Sequence, residues 1–211
     1  AVNADLYENW TDVSGFLVCD PRIVPNPQPI ETITYHELRE LAYMGAGVLH
    51  EEAIFPVRKA SIPINIRNTN KPEDPGTMIV ETASNDSCKY TITGVAGKKG
   101  FIAMSIEKDM MNSELGFGRK VLQVFESHGI SFEHMPSGID TMSIVVQKGE
   151  FEEKEAMIVH ALRTAVHPDR IDIDRDIALV AVVGRGMRSH RGTAARIFAA
   201  LAHAKINVKM I

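Results

Sequence analysis

The sequence predicts an α+β protein in which a ferredoxin-like β-α-β-β-α-β unit is followed by a partial second copy of itself. Three observations carry this. Between residues 91 and 175, segments with strand alternation and segments with helical spacing follow one another in that order. The pattern then restarts: setting Ile206 under Ile130, a shift of 76 positions, also sets Met187 under Met111, Ser189 under Ser113 and Gly192 under Gly116. Finally, the turn-rich run "RNTNKPEDPGT" separates this region from an amino-terminal part of different texture.

Taken in order, residues 1–30 are punctuated by Gly15, Pro21, Pro25, Pro27 and Pro29 and read as loop-rich. "TYHELRELAYMGAGVLHEEA" begins a helix: Thr34 caps it, Glu37 completes a capping box, and Leu38, Leu41, Ala42, Gly45, Val48 and Leu49 form its apolar stripe. A second short helix is expected from about Glu51 to Lys59, and "SIPINI" alternates like a half-buried strand. "FIAMSIE", "ISFEHM" and "TMSIVVQ" read as strands. "GFGRKVLQVFESHG" and "FEEKEAMIVHALRTAV" read as helices, the latter burying Phe151, Met157, Ile158, Ala161 and Leu162. "RIDID" closes the first copy. "IALVAVVG", "GTAARIFAALAHA" and "INVKMI" give strand, helix and strand of the second, whose last two strands and helix are expected to be missing. The domain boundaries expected are 1–76, a connector at 77–90, 91–175 and an incomplete 176–211.

Composition narrows the function classes. With 45% hydrophobic and 24% charged residues the chain is an ordinary globular sequence. Its 23 basic and 27 acidic residues give a net charge of −4, against the basic face that nucleic-acid binding needs. No run reaches the roughly 18 apolar residues of a membrane span, and no segment resembles a signal peptide. Cys19 and Cys88 are read as reduced thiols of a cytoplasmic protein. The eight histidines lack metal-site spacing, so no metal site is expected.

Two stretches carry chemistry. A glycine before a helix leaves N–H groups beside the helix's positive end, where a carboxylate or phosphate can sit. "MMNSELGFG" in the first copy and "MRSHRGT" in the second have this form, although Ser113 and Gly116 would look the same if they merely started a helix. "TDVSGFLVCDPR" gathers hydroxyl, carboxylate and guanidinium groups. Arg22 suits a phosphate and Asp12 a ribose hydroxyl, while the plainer reading is an Asx-turn with a structural Asp–Arg pair.

Longer stretches resemble a known family. "YENWTDVSGFLVCDPRIV", "ELAYMGAGVLHEEAIFPVRKASIPINIRNTNKPEDPGT" and "HGISFEHMPSGIDTMSIVV" are similar to aspartokinase, continuously from about residue 3 to the last residue. The resemblance implies the end of an amino-acid-kinase domain followed by two ACT domains, which are βαββαβ amino-acid sensors. It further implies that the segment "TMIVE" pairs with the second ACT repeat. By this likeness Thr11, Asp12, Leu17, Arg22, Gly47 and Val48 line an ATP site. Met111, Ser113, Phe117, Gly118, Ser131, Phe132, Glu133 and Ser137 would line an effector site for lysine first and threonine second, with Glu114 as a helper to Glu133. In the second copy Phe117 becomes Thr193 and Glu133 becomes Lys209, so the same ligand is not expected there, and its role would be dimer packing. ATP and Mg²⁺ would serve the intact parent enzyme. The family's amino-terminal lysine-and-glycine motif and its aspartate- and Mg²⁺-holding acids are not in this sequence. The 211-residue chain is therefore expected to have no catalytic residues, to bind no cofactor by itself and to be inactive alone. A homodimer through the ACT repeats is implied. Two alternatives stay open: a stand-alone ACT sensor, and another amino-acid kinase such as a glutamate or acetylglutamate kinase. Residues 7–76 argue against the first and the paired repeat against the second.

Overall fold

The computed structural model describes residues 4–45, 51–83 and 90–211. The chain forms two compact units, one of residues 1–98 with 180–207 and the other of residues 99–179 with 208–211.

In the first unit a four-stranded sheet runs in the order β1 (Tyr7–Thr11), β3 (Ile64–Asn68), β4 (Thr77–Val80), β2 (Thr32–Thr34). β1 is parallel to β3, with Thr11 opposite Asn68, β2 is parallel to β4, and β3 and β4 are antiparallel. Helix α1 (Tyr35–Tyr43) starts at the expected Thr34–Glu37 capping box and ends sooner than the stripe suggested, its cap at Met44 and Gly45 at φ 99°. Val48 and Leu49 of that stripe lie outside the described residues. Helix α2 (Glu51–Lys59) has the expected bounds. Ile33, Leu38, Leu41, Ile64, Ile66 and Ile79 fill the core. Here β3 is more buried than a half-exposed strand, with Ile64, Asn65, Ile66 and Asn68 buried and Arg67 partly so, and it is a central strand of its sheet. The sharp turn at Gly15 (φ 92°) brings the chain so close to Thr77 that a Cβ there would meet the Thr77 nitrogen at 2.7 Å, which only glycine allows.

Thr77–Val80 differs from expectation. The "TMIVE" segment does not join the second repeat: both edges of β4 are taken, by β3 and β2. The Thr77 hydroxyl also accepts from the Phe16 N–H at 2.8 Å and donates to the Ile30 carbonyl at 2.6 Å, fixing the strand within this sheet.

The second unit carries a sheet in the order β6 (Phe132–His134), β7 (Thr141–Gln147), β5 (Gly94–Glu107), β8 (Arg170–Val183). With α3 (Phe117–Ser127) between β5 and β6, and α4 (Lys148–Glu152) and α5 (Glu155–Val166) between β7 and β8, this is the split βαβ arrangement expected. Ile102, Met104 and Ile106 of β5 and Met142, Ile144 and Val146 of β7 face a core that includes Phe117, Val121 and Phe125 of α3 and Ile158 and Leu162 of α5. Alternate residues Phe101, Ala103 and Val145 point the other way, onto Ile177, Leu179 and Met210. Met157 is 54% exposed and not on the apolar side. Phe151 and Ile158, seven residues apart and so on one helical face, are buried, and Met157 falls off that face.

"RIDID" and "IALVAVVG" were expected as separate strands and form one, β8, in which Asp176 takes φ 58°. The repeat is confirmed to the residue. β5 ends at Glu107 and β8 at Val183; α3 spans Phe117–Ser127 and α6 spans Thr193–His203; Gly116 (φ 77°) and Gly192 (φ 82°) precede them. Each pair is 76 positions apart. "INVKMI" is not a strand: residues 206–211 make no ladder, and Lys209 instead reaches Asp174 at 3.2 Å.

Candidate functional site

The first candidate region lies at the carboxyl ends of the parallel pair β1 and β3, the edge where ligands of open α/β sheets bind. Thr11 ends β1, and its hydroxyl donates to Asp12 at 3.1 Å. Its carbonyl accepts from the Thr69 N–H at 2.8 Å and the Thr69 hydroxyl at 2.9 Å, which ties the loop after β1 to the loop after β3. Beneath it, Asn68 donates to Ser14 at 2.8 Å and Ser14 donates to Asp74 at 2.5 Å. Leu17 bridges Pro29. Arg22 is exposed and forks onto Asp20, with Nη2 at 2.6 Å. Those hydrogen bonds hold the Asp20 carboxyl below its ordinary value and raise the guanidinium of Arg22. Thr11, Asp12, Leu17 and Arg22 thus sit on one loop system, while Gly47 and Val48 lie outside the described residues. Sequence reading missed Trp10, 44% exposed next to Thr11, whose ring lies 5.1 Å from the Arg67 guanidinium carbon.

The second region is the loop between β5 and α3. Met111 and Phe117 are buried in the core, so their side chains pack while the backbone between them stays at the surface. Glu114 is held by two lysines, Lys108 Nζ at 2.5 Å and Lys120 Nζ at 2.7 Å, and Lys108 also donates to the Val166 carbonyl at 2.6 Å. The hydrogen bond from Lys108, then that from Lys120, lower the Glu114 carboxyl to about 2. Glu114 is therefore committed within the loop and is not the helper expected for a ligand ammonium. Ser113 is exposed and donates to the Asn112 side chain at 3.3 Å.

The expected effector residues separate into two groups. Met142 joins the first: its Cε is 3.2 Å from where a Cβ on Gly118 would stand, it shares the core with Met111 and Phe117, and it bridges Ser137. Sequence reading missed Met142, which looked like an ordinary strand residue. Ser131, Phe132 and Glu133 form the second group. Phe132 pairs with Val146, and Glu133 accepts from Gln147 Nε2 at 3.0 Å. Val146 lies four residues along β7 from Met142, about 13 Å at 3.3 Å per residue. The β6 pair at Val146 is thus displaced along the sheet from the Met142 end.

Comparison with known proteins now decides the family. Residues 1–68 match the amino acid kinase family and residues 180–211 an ACT domain. All 211 residues align with aspartokinase 3 of Bacillus subtilis at 41% identity, covering 46% of that protein. The crystal structure of Clostridium acetobutylicum aspartate kinase superposes on the whole chain with a TM-score of 0.91 and 55% identity, and 48% of it is covered. The chain belongs to the aspartokinase family. It spans about half the length of these relatives. The fold is shared more widely: Escherichia coli aspartokinase III in complex with aspartate and ADP superposes at TM-score 0.77 with 22% identity.

Against this aspartokinase frame, Glu37 emerges as more than a helix cap. It is buried, and its carboxylate accepts from the Thr34 N–H at 3.0 Å, the Thr93 hydroxyl at 2.6 Å, the Arg185 N–H at 3.2 Å and Arg185 Nη1 at 2.7 Å. Burial pushes this carboxyl up, but the hydrogen bonds from Thr93, Thr34 and Arg185 outweigh it and leave it below its ordinary value. Only the Thr34 partner was legible in sequence. Among the described residues no three His, Cys, Asp or Glu side chains converge to hold a metal ion, and no helix is long and apolar enough to cross a membrane.

Proposed function

We propose that this chain is the nucleotide-loop end and the regulatory part of a cytoplasmic aspartate kinase, the enzyme that phosphorylates the β-carboxylate of L-aspartate with ATP. The observation that carries the reading is the likeness of all 211 residues, at 55% identity, to about half of a protein described as an allosteric aspartate kinase. The geometry supports the nucleotide role. Thr11 and Asp12 stand at the carboxyl edge of a parallel strand pair, with a hydroxyl and a carboxylate suited to ribose, and Arg22 is an exposed cation within the same loop, suited to phosphate. ATP supplies the phosphoryl group, and Mg²⁺ would be held by residues other than those described. Purified chain given ATP, Mg²⁺ and aspartate should form no phosphoaspartate above a blank.

The first repeat copy is the effector sensor, with lysine as first ligand and threonine as second. The loop's N–H groups at the start of α3 and Ser113 receive the carboxylate, and Glu133 receives a side-chain ammonium. Because β6 stands about 13 Å along the sheet from the loop, one lysine reaches both only if the β6 of a second copy approaches. β6 is an edge strand and Phe132 on it is 46% exposed, which favours a homodimer at that edge. Calorimetric titration tests this. Glu133→Gln should weaken lysine binding by about 30-fold or more, since removing one partner of a charge pair costs about 2–5 kcal/mol. Equal affinities of wild type and variant would remove Glu133 from the site.

A further inference from the structure

An open groove of about 630 Å³ runs along α5 in the second unit, lined by Glu152, Glu155, Ala156, Val159, His160 and Arg163. None of these six belongs to either candidate region. They stand at i, i+3, i+4, i+7, i+8 and i+11, the spacing of one helical face. This face flanks the edge that α5 buries through Ile158, Leu162 and Val166, and Val159 is partly packed against the same core. Charge is divided along it. Glu152 and Glu155 stand at the amino-terminal end, Ala156 and Val159 make an apolar middle, and His160 and Arg163 stand toward the carboxyl end. Arg175 donates to Oε1 of Glu155 at 2.9 Å, which holds that carboxylate in place and leaves Oε2 open to a second cation. Arg163 is exposed and, among the described residues, has no hydrogen bond or ion pair.

We propose that this face of α5 pairs, antiparallel, with the same face of a second copy of the chain. A two-fold contact must be self-complementary, and the division of charge along the stripe makes it so. With Val159 on the axis, the position four residues before it meets the position four residues after it on the other copy. Glu155 then faces Arg163 of the partner subunit, and Arg163 faces the partner's Glu155. A parallel pairing would set Glu155 against its own kind and Arg163 against its own kind, so the charges choose the direction. Ala156, the smallest side chain of the stripe, lets the two helix axes approach to the roughly 8–10 Å of packed helices. The pairing covers Val159 and gives Arg163 the carboxylate that it lacks within its own chain. This surface lies on the helix layer, separate from the edge strand β6. Neither the nucleotide nor the effector reading enters it.

Disulfide trapping of the 211-residue chain reads this surface whatever happens at β6. Val159→Cys, in a chain whose Cys19 and Cys88 are replaced by serine, puts two thiols at the axis, where a disulfide can close. Under mild oxidation at micromolar concentration this parent should form a linked dimer. Adding Arg163→Glu, or instead Glu155→Arg, sets like charges together at both ends of the contact and should slow linking by about 10-fold or more. An equimolar mixture of those two variants restores opposite charges at both ends, so its rate should return to within about three-fold of the parent. No linking in the parent, rates indifferent to the charges, or a mixture as slow as its components would overturn the pairing. Glu155→Arg also sets an arginine beside Arg175. If it does not fold, salt reads the same contact: raising ionic strength should slow the parent and speed Arg163→Glu, because attraction is screened in one and repulsion in the other. Responses in the same direction would again overturn it. No ligand is present, so failure here leaves the nucleotide and effector readings standing.

Discussion

The two copies of the repeat share their strand ends, glycine caps and helix bounds and differ in the turn between strand and helix and in what that turn holds. Strand ends, glycine caps and eleven-residue helices match at a shift of 76 positions, and even the residues just past the helices agree, Gly129 at φ 64° and Lys205 at φ 57°. In the first copy the loop is closed on itself: Glu114 sits between Lys108 and Lys120, and Phe117 plugs the core. In the second, Glu114 is replaced by His190, Phe117 by Thr193 and Asp109 by Arg185, and the turn reaches across to Glu37. In the first copy a carboxylate shared by two lysines closes the loop over a filled core, while in the second a buried arginine pairs with another element of the protein.

The comparison breaks most visibly at the first helical residue. Phe117→Ala should destabilise the second unit by about 3–5 kcal/mol, as large-to-small core changes do. Thr193→Ala should cost about 1 kcal/mol, since it removes one hydrogen bond, from the Thr193 hydroxyl to the His190 carbonyl. Urea denaturation of the two variants should show this gap, and similar costs would mean that the second copy has a comparable core. The glycines probe what is shared. Gly116→Ala and Gly192→Ala both put a Cβ on a left-handed residue, at about 1–2 kcal/mol each. Neither site is crowded, the nearest atom being 3.9 Å away at Gly116 and none within 4 Å at Gly192. Thermal unfolding should give equal losses, and a clear inequality would break the equivalence of the two turns.

Acid sharpens the difference. The folded pKa of Glu37 lies below its ordinary 4.5, so its contribution is fully present above pH 4.5 and is lost as pH falls through the folded value. Stability of the first unit should fall in that range, and Glu37→Gln should flatten the fall. The smallest effect is at Glu114. Its carboxyl should titrate at about 2 by carbon NMR and move back toward 4.5 in Lys108→Met, because the Lys108 hydrogen bond is the main cause of the shift. A value unmoved by that change would show the loop is not closed by this lysine.

Local pattern carried much of this into the sequence. The capping box at Thr34–Glu37 and the bounds of α2 and β7 needed only neighbours a few residues apart, and the repeat needed only the chain set against itself at a shift of 76. Pairing partners were not legible. Nothing within "TMIV" says which sheet it enters, because the Thr77 hydroxyl finds Phe16 and Ile30 across 61 and 47 residues. "INVKMI" alternates as a strand does but has no ladder partner, and alternation alone supplies none. Glu37 read as a cap because Thr34 is adjacent, whereas Thr93 and Arg185 are remote. The effector residues were chosen as one cluster, yet the sheet puts Met142 beside Gly118 and leaves Glu133 near Gln147.

An amide NMR titration of the chain with lysine tests most directly whether the two copies, alike in strand and helix, differ in ligand binding. The account predicts saturable shifts at residues 111–118 and 131–137 and none at 187–194. Shifts in the second loop of equal size, or saturable binding that leaves the first loop untouched, would contradict it.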